Sequence, residues 1–202
     1  PGTAFAELAL WAGAGLGCPR IAELTLHSPL VLEPGVGCLL QVLLTPGETT
    51  AEQWTFVVHA RPEDSQEWTR HAGGTLTPAH APEPVFVWPP AAPEISLEGV
   101  YPAAAEGGLL YGEAFQGLTR AWKAGEQVWS EVALTDDAGD YGIHPALLDA
   151  VLHAALLLDD RQGSGLPFVF EDVQLYASGA SRVRAHVRRT AAGKLRVQVS
   201  DE

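Results

Sequence analysis

The chain has no methionine, only two cysteines, and 12 lysines and arginines against 25 acidic residues among its 202 positions. Each shortage excludes something. A net charge of −13 argues against nucleic acid, whose phosphates require a basic face. The densest positive run, Arg182, Arg184, Arg188 and Arg189, reads as one solvated strand face or a docking strip for an acidic partner. Cys18 and Cys38 show no CxxC or Cys/His ligand spacing, so no metal centre is expected. Free thiols in a reducing, cytoplasmic compartment are. No stretch approaches the roughly eighteen unbroken apolar residues of a membrane span. The longest candidate, Ala146 to Leu158, is interrupted by Asp149 and His153. No basic segment precedes an apolar run, so no signal peptide is expected. The missing methionine and the start at Pro1 predict an excerpt of a longer polypeptide. P-loop, dinucleotide-binding and G-x-S-x-G signatures are absent, so no cofactor is expected from them.

What the chain does have is two segments of similar order. In the first, Pro1 to Ala12 reads as a helix with Phe5, Leu8, Ala9 and Ala12 on one face, ended by Gly13, Gly15 and Gly17. Strands are expected at Ile21 to Leu32, Cys38 to Leu44, Trp54 to His59 and Thr69 to Leu76. Six prolines between Pro78 and Pro93 mark a linker. Beyond it come a helical turn at Ala114 to Leu118 and strands at Leu118 to Trp122 and Gln127 to Leu134. A helix from Pro145 to Leu158 follows, with proline in its first turn. Then come a loop with Gly163 and Gly165 and strands at Phe168 to Tyr176, Arg182 to Arg188 and Leu195 to Val199. Residues 1–77 and 96–202 are therefore expected as two halves joined by 78–95. A long apolar helix followed by antiparallel strands suggests a sheet wrapped around a central helix, the hotdog arrangement, twice over in an α+β chain. If the halves are equivalent, strands are missing before Pro1 and after Glu202.

The segment most suited to chemistry is Gly142 to His153. Asp149 and His153 lie one turn apart on one helix face, among Leu147, Leu148, Val151, Leu152, Ala155 and Leu156. The helix dipole, typically about 0.3–1 kcal/mol, favours the anion, but full desolvation is the larger effect. A well-buried Asp149 is therefore expected to stay protonated near neutral pH and serve as a general acid, its rotamer fixed by His153. The same spacing also describes an ordinary polar pair on a half-exposed helix. A second segment, Leu110 to Leu118, offers the Tyr111 hydroxyl, the Gln116 amide, and glycines 112 and 117 that allow a tight turn or close backbone approach to a ligand; Phe115 and Leu118 also suit a core corner. A third, Leu166-Pro167-Phe168, reads as an apolar strand entry. His27, His59, His71, His80 and His186 occur singly and form no ligand set.

Together these segments resemble the dehydratase domains of type I polyketide synthases, which carry Y-G-P-x-F-Q-G-L, H-P-A-L-L-D continuing as D-x-x-x-Q/H, and L-P-F, in that order. Here they are Tyr111 to Leu118, His144 to Asp149 with His153, and Leu166 to Phe168. Pro1 to Ala9 is similar to the family's L-P-G-T-A-F-x-E-L, and Trp68 to Gly74 to its W-x-x-H-A-x-G. The resemblance implies a double hotdog fold and removal of water from a β-hydroxyacyl thioester carried by an acyl carrier protein. It implies neighbouring synthase domains and a homodimeric parent, and no cofactor, since the phosphopantetheine arm belongs to the substrate. It assigns Asp149 and His153 to catalysis, and Tyr111, Gly112, Phe115, His144, Pro145, Leu166 and Pro167 to the substrate tunnel. Two departures stand out. Glu113 replaces the proline of Y-G-P, and the family's catalytic histidine belongs to H-x-x-x-G-x-x-x-x-P, whose last proline matches Pro1. The acid is thus expected within the chain and the base outside it. A non-catalytic remnant, a double-bond isomerase and a pyran-forming cyclase on the same fold are the alternatives.

Overall fold

The computed structural model of the chain describes residues 1–47, 52–135, 137–158 and 167–201. They divide into two units, each an antiparallel sheet with a helix against one face.

The first unit comprises residues 2–81 and 167–176. Its helix α1 (Gly2–Ala14) buries Phe5, Ala6, Ala9 and Leu10. These meet strands β1 (Arg20–Leu26), β2 (Cys38–Pro46), β3 (Trp54–Pro62) and β4 (Thr69–Thr77), of which β3 and β4 supply Phe56, Val58, Ala60, Ala72 and Leu76 to the core. A bulge between Ile21 and Glu23 lets Ile21 and Leu24, three apart, both point inward. The chain leaves β1 at Leu26, earlier than the expected end at Leu32.

The second unit comprises residues 82–166 and 177–202. It contains β5 (Glu94–Ile95), α2 (Val100–Glu106), β6 (Leu118–Ala124), β7 (Gln127–Ala133), α3 (Pro145–His153), β9 (Arg182–Arg189) and β10 (Leu195–Asp201), while β8 (Val169–Gln174), between α3 and β9 in the chain, belongs to the first unit. The sheet order is β10-β9-β7-β6-β5. Alternation is strict in β7 and β9: Val128, Ser130 and Val132, and Val183, Ala185 and Val187, face inward. Against them lie Leu147, Ala150, Val151 and Ala154, each at most 1% exposed. The expected helix to Leu158 is α3 followed by a 3₁₀ turn at Ala154–Leu157.

One expected boundary is corrected. Val169–Gln174 lies in the sequence among the strands of the second half, yet it pairs antiparallel with β1, Leu24 opposite Phe170 and Glu23 opposite Glu171. Arg20 seals the junction by an ion pair with Asp172 at 2.7 Å. β1 would otherwise be an edge with unpaired backbone groups, and a strand's own alternation does not specify which neighbour it pairs with. The repeat of helix, loop and three strands therefore breaks at β8.

The proline-rich stretch has no regular structure before β5, but it is pinned across the outer face of the second sheet. Glu83 pairs with Arg196, and Gln198 Nε2 donates to the Pro84 carbonyl at 3.3 Å. Phe86 and Trp88 are half-buried, while Val85 and Val87 are exposed. The sheet register sets Trp122, Trp129, His186 and Gln198 in one row across four strands. Phe86 meets His186 at 5.7 Å, Trp88 meets Trp122 edge-on at 5.1 Å, and Arg184 lies over the Trp88 ring at 5.1 Å. Each aromatic contact of this kind contributes about 0.5–1.5 kcal/mol beyond its buried area, so the strap is a structural element rather than a tether. Of the β9 arginines, Arg184 is engaged by Trp88 and Arg189 pairs with Glu126 at 3.1 Å.

Trp129 stacks on His186 at 4.6 Å, and His186 Nε2 donates to Gln127 Oε1 at 3.0 Å. Burial pushes the His186 pKa down, a hydrogen bond with Gln198 opposes that, and the Arg188 charge adds to the lowering. A depressed folded-state pKa means that the unfolded chain takes up the proton first. His186 thus contributes stability that is complete above the unfolded value of about 6.5 and is lost as the pH falls through its folded pKa. Urea unfolding at pH 7.5 and 5.0 is expected to show a smaller acid-induced loss for His186→Phe than for the unsubstituted chain. Equal losses would contradict this assignment.

Candidate active site

α3 starts where His144 caps it: His144 Nδ1 accepts from the Ala146 amide at 3.1 Å, and Pro145 occupies the first turn. This fixes His144 as a capping residue, with the Tyr141 ring edge-on to it at 4.8 Å. Once the apolar stripe of α3 is seated on the sheet, Asp149 and His153 fall on the stripe's flank. His153 is 3% exposed and Asp149 18%, with His153 Nε2 at 3.3 Å from Asp149 Oδ2. Asp149 is therefore largely but not completely buried, short of the full enclosure on which the sequence argument relied. Nε2 is buried and has no hydrogen-bond partner in good line, so the carboxylate is its one close polar neighbour among the described groups.

Two phenols close over the imidazole. Tyr111 sits with its ring centroid 4.0 Å from that of His153, and Tyr101 of α2 at 5.7 Å, nearly perpendicular. The Tyr101 hydroxyl lies 3.5 Å from His153 Nδ1 and accepts from the Leu118 amide at 3.2 Å. Burial raises the pKa of Tyr101, partly offset by the Leu118 hydrogen bond, with smaller raising effects from Tyr111 and Asp149. Burial also raises that of Tyr111, and Asp149 adds to it. Both phenols are therefore neutral hydrogen-bond donors at physiological pH.

Tyr111 reaches His153 because its loop is closed locally. Gln116 Nε2 donates to the Tyr111 carbonyl at 2.9 Å, and a 3₁₀ turn at Glu113–Phe115 returns the chain to β6. Phe115 is half-buried and Glu113 exposed. The two glycines of the loop differ. Gly112 has extended backbone and open space where a Cβ would stand. At Gly117 a Cβ would come within 2.8 Å of the Ala133 carbonyl and 2.9 Å of the Ala150 Cβ, so the close approach this glycine permits is to β7 and α3.

Asp149, His153, Tyr111, His144 and Pro145 thus share one region of the second unit. Pro167 is exposed and belongs to the first unit, at the entry to β8; Leu166 lies outside the described residues. Tyr101 was missed by sequence reasoning. Its helix is a single short segment without apolar periodicity, and the one usable signal is Pro102 directly after Val100 and Tyr101, at a helix start. Among the described residues no group of three or more His, Cys, Asp or Glu side chains could hold a metal ion, and no helix is long and apolar enough to cross a membrane. A polar groove of about 280 Å³ in the first unit, lined by Glu23, Thr25, Arg70 and Gly73 among others, contains none of the acid–base residues. The arrangement can present one carboxyl oxygen to a reacting hydroxyl while the other is engaged by an imidazole, in a half-dry setting flanked by neutral phenols.

Comparison with known proteins gives the same picture. Residues 79–201 match the family model "Polyketide synthase dehydratase N-terminal domain", and residues 1–61 match "Polyketide synthase dehydratase domain". The chain is similar to Polyketide synthase GfsA of Streptomyces halstedii, with 42% identity over 96% of the chain and 3% of that protein. It is similar to Mycoketide-CoA synthase of Mycobacterium tuberculosis, with 39% identity over 100% of the chain and 5% of that protein. The chain thus spans a small fraction of these relatives. Among solved structures, a dehydratase from work on the borrelidin and fluvirucin polyketide synthases superposes with a TM-score of 0.92 at 48% identity, over 100% of this chain and 74% of that one. A dehydratase-cyclase domain from ambruticin biosynthesis gives 0.88 at 35%, over 100% and 76%. The fold is the α+β double hotdog.

Gly117→Ala is expected to destabilise the chain by about 1–3 kcal/mol, the usual cost of overpacking, because neither the Ala133 backbone nor α3 can retreat freely. Gly112→Ala should stay within about 0.5 kcal/mol, as for surface positions without special geometry. Denaturant titration of both variants tests the contrast, and equal effects would refute it.

Proposed function

The chain belongs to the dehydratase domains of type I polyketide synthases, and from that premise we propose that it removes water from a β-hydroxyacyl thioester borne by an acyl carrier protein, with Asp149 as the acid. The observation that carries this reading is the Asp149–His153 contact of 3.3 Å on a helix whose other side is fully packed.

In the elimination, a base takes the α-proton, the electrons of that C–H bond form the Cα–Cβ double bond, and the Cβ–O bond breaks. Asp149 gives its proton to the departing hydroxyl, which leaves as water. His153 orients the carboxyl, Tyr111 and the backbone at Gly112 border the acyl chain, and the pantetheine arm arrives with the substrate. None of the chain's own histidines is proposed as the base. Within the same unit, His144 caps α3, His153 is buried against Asp149, and His186 is fastened on the outer sheet face. The base is proposed to be the histidine of the H-x-x-x-G-x-x-x-x-P motif whose last proline matches Pro1. Carrier protein and neighbouring domains of a homodimeric, cytoplasmic synthase are the partners this role requires. An intact Asp149–His153 pair counts against a non-catalytic remnant. Similarity to a domain described as a dehydratase-cyclase favours one second reading, in which the unsaturated product is also closed to a ring.

In the polypeptide that carries this chain, Asp149→Asn is expected to lower dehydration of a β-hydroxyacyl pantetheine thioester by roughly 10²–10⁴-fold, the usual weight of a general acid. Mass spectrometry reads the loss of water, and chromatography separates an open enoyl product from a cyclic ether. Undiminished turnover in Asp149→Asn would overturn the assignment of the acid.

A further inference from the structure

We propose that Tyr101 is a positioning residue that sets the tautomer of His153 and thereby whether Asp149 Oδ2 faces a protonated or a bare ring nitrogen. The inference deepens the function proposed above and rests on it for its catalytic consequence, though not for its structural content.

The argument is a count of protons and lone pairs. The Tyr101 oxygen already accepts from the Leu118 amide at 3.2 Å, so its single O–H is the group left to place. The acceptor within reach is His153 Nδ1 at 3.5 Å. A hydroxyl that donates to Nδ1 requires that nitrogen to be bare, which puts the imidazole proton on Nε2. Nε2 lies 3.3 Å from Asp149 Oδ2, out of line for a hydrogen bond, and is buried with no other polar partner among the described groups. A proton on Nε2 thus faces that oxygen as a partial positive charge, which makes Oδ1 the more favourable seat for the proton of a protonated Asp149. With the opposite tautomer, a bare Nε2 would compete for the carboxyl proton and draw it away from the substrate.

The backbone fixes this chain of contacts. Leu118 is the first residue of β6, and its amide holds Tyr101 across the 17 residues that separate them. The titratable groups facing His153 are Tyr101 from α2, Tyr111 from the following loop, and Asp149 on its own helix. The strands beneath α3 turn only Leu118, Ala121, Val128, Ser130, Val132, Val183, Ala185 and Val187 inward, so none of them supplies a competing charge.

Long-range ¹H–¹⁵N spectra of histidine-labelled protein read the tautomer directly. His153 is expected as the Nε2–H form in the unsubstituted chain, and to shift toward a mixture in Tyr101→Phe. A Nδ1–H form before any substitution, or an unchanged tautomer in the variant, overturns the proposal; the first of these needs no variant to fold. In turnover, Tyr101→Phe should lower kcat about tenfold, the weight of one ordinary hydrogen bond, with KM within about twofold and a displaced pH–kcat profile. His153→Gln replaces the ring by an amide with no tautomers, and in that background Tyr101→Phe should leave the pH profile unmoved. A profile that still moves would assign Tyr101 a merely structural effect. Absence of dehydration by the unsubstituted enzyme defeats the functional reading alone, while the spectra still decide the tautomer.

Discussion

The second unit depends on how closely α3 can lie against its sheet. Ala150 faces the bare backbone of Gly117 at a distance that leaves no room for a methyl group, and Leu147, Val151 and Ala154 fill the rest of the contact. A helix seated this tightly has little freedom to rotate, so whatever stands on its flank is aimed rather than merely present. Asp149 and His153 occupy that flank. Their orientation is inherited from apolar packing, and the phenols of Tyr101 and Tyr111 add directional contacts at the imidazole. Precision at the polar pair is thus a property of the core beneath it.

The two faces of the same sheet divide the labour. Inward, β6, β7 and β9 present small and branched apolar side chains to α3. Outward, they present tryptophans, a histidine and arginines, surfaces too large and too apolar to leave in water, and the proline-rich strap covers them. Prolines suit such a strap: a segment that crosses strands instead of joining them has no ladder in which its amides are needed. The strap begins at an ion pair with Arg196 and ends by becoming a strand beside β6, where Arg120 grips Glu94 through two nitrogens.

Much of this was legible in the sequence. The 3.6-residue period across Pro145 to Leu158 gave the helix, and a four-residue spacing put Asp149 and His153 on one face. Alternation marked strands such as β3 and β7, each of which has one face in a core. What escaped notice depended on pairing or on short segments. β8 lies in the chain between α3 and β9, and nothing in its residues says that β1 is its partner. α2 is seven residues long, too short for a period to show, so Tyr101 stayed hidden. The strap looked like a linker because composition reports the lack of regular structure, not what a segment covers. That His144 caps α3 was not read from the sequence either.

The strand that β1 waits for has a temporal consequence. Arg20 and Asp172, joined at that seam, are 152 residues apart. A ribosome adding roughly 5–20 residues per second needs on the order of ten to thirty seconds to cover that distance. Throughout, α1 and the first four strands can assemble with one flank of β1 bare. The nascent sheet is open to any strand that arrives sooner, so translation speed and the chaperones on hand bear on its yield of correct pairing. The N-terminal unit begins first and closes late, and its last hydrogen bonds are made only after α3 has left the ribosome.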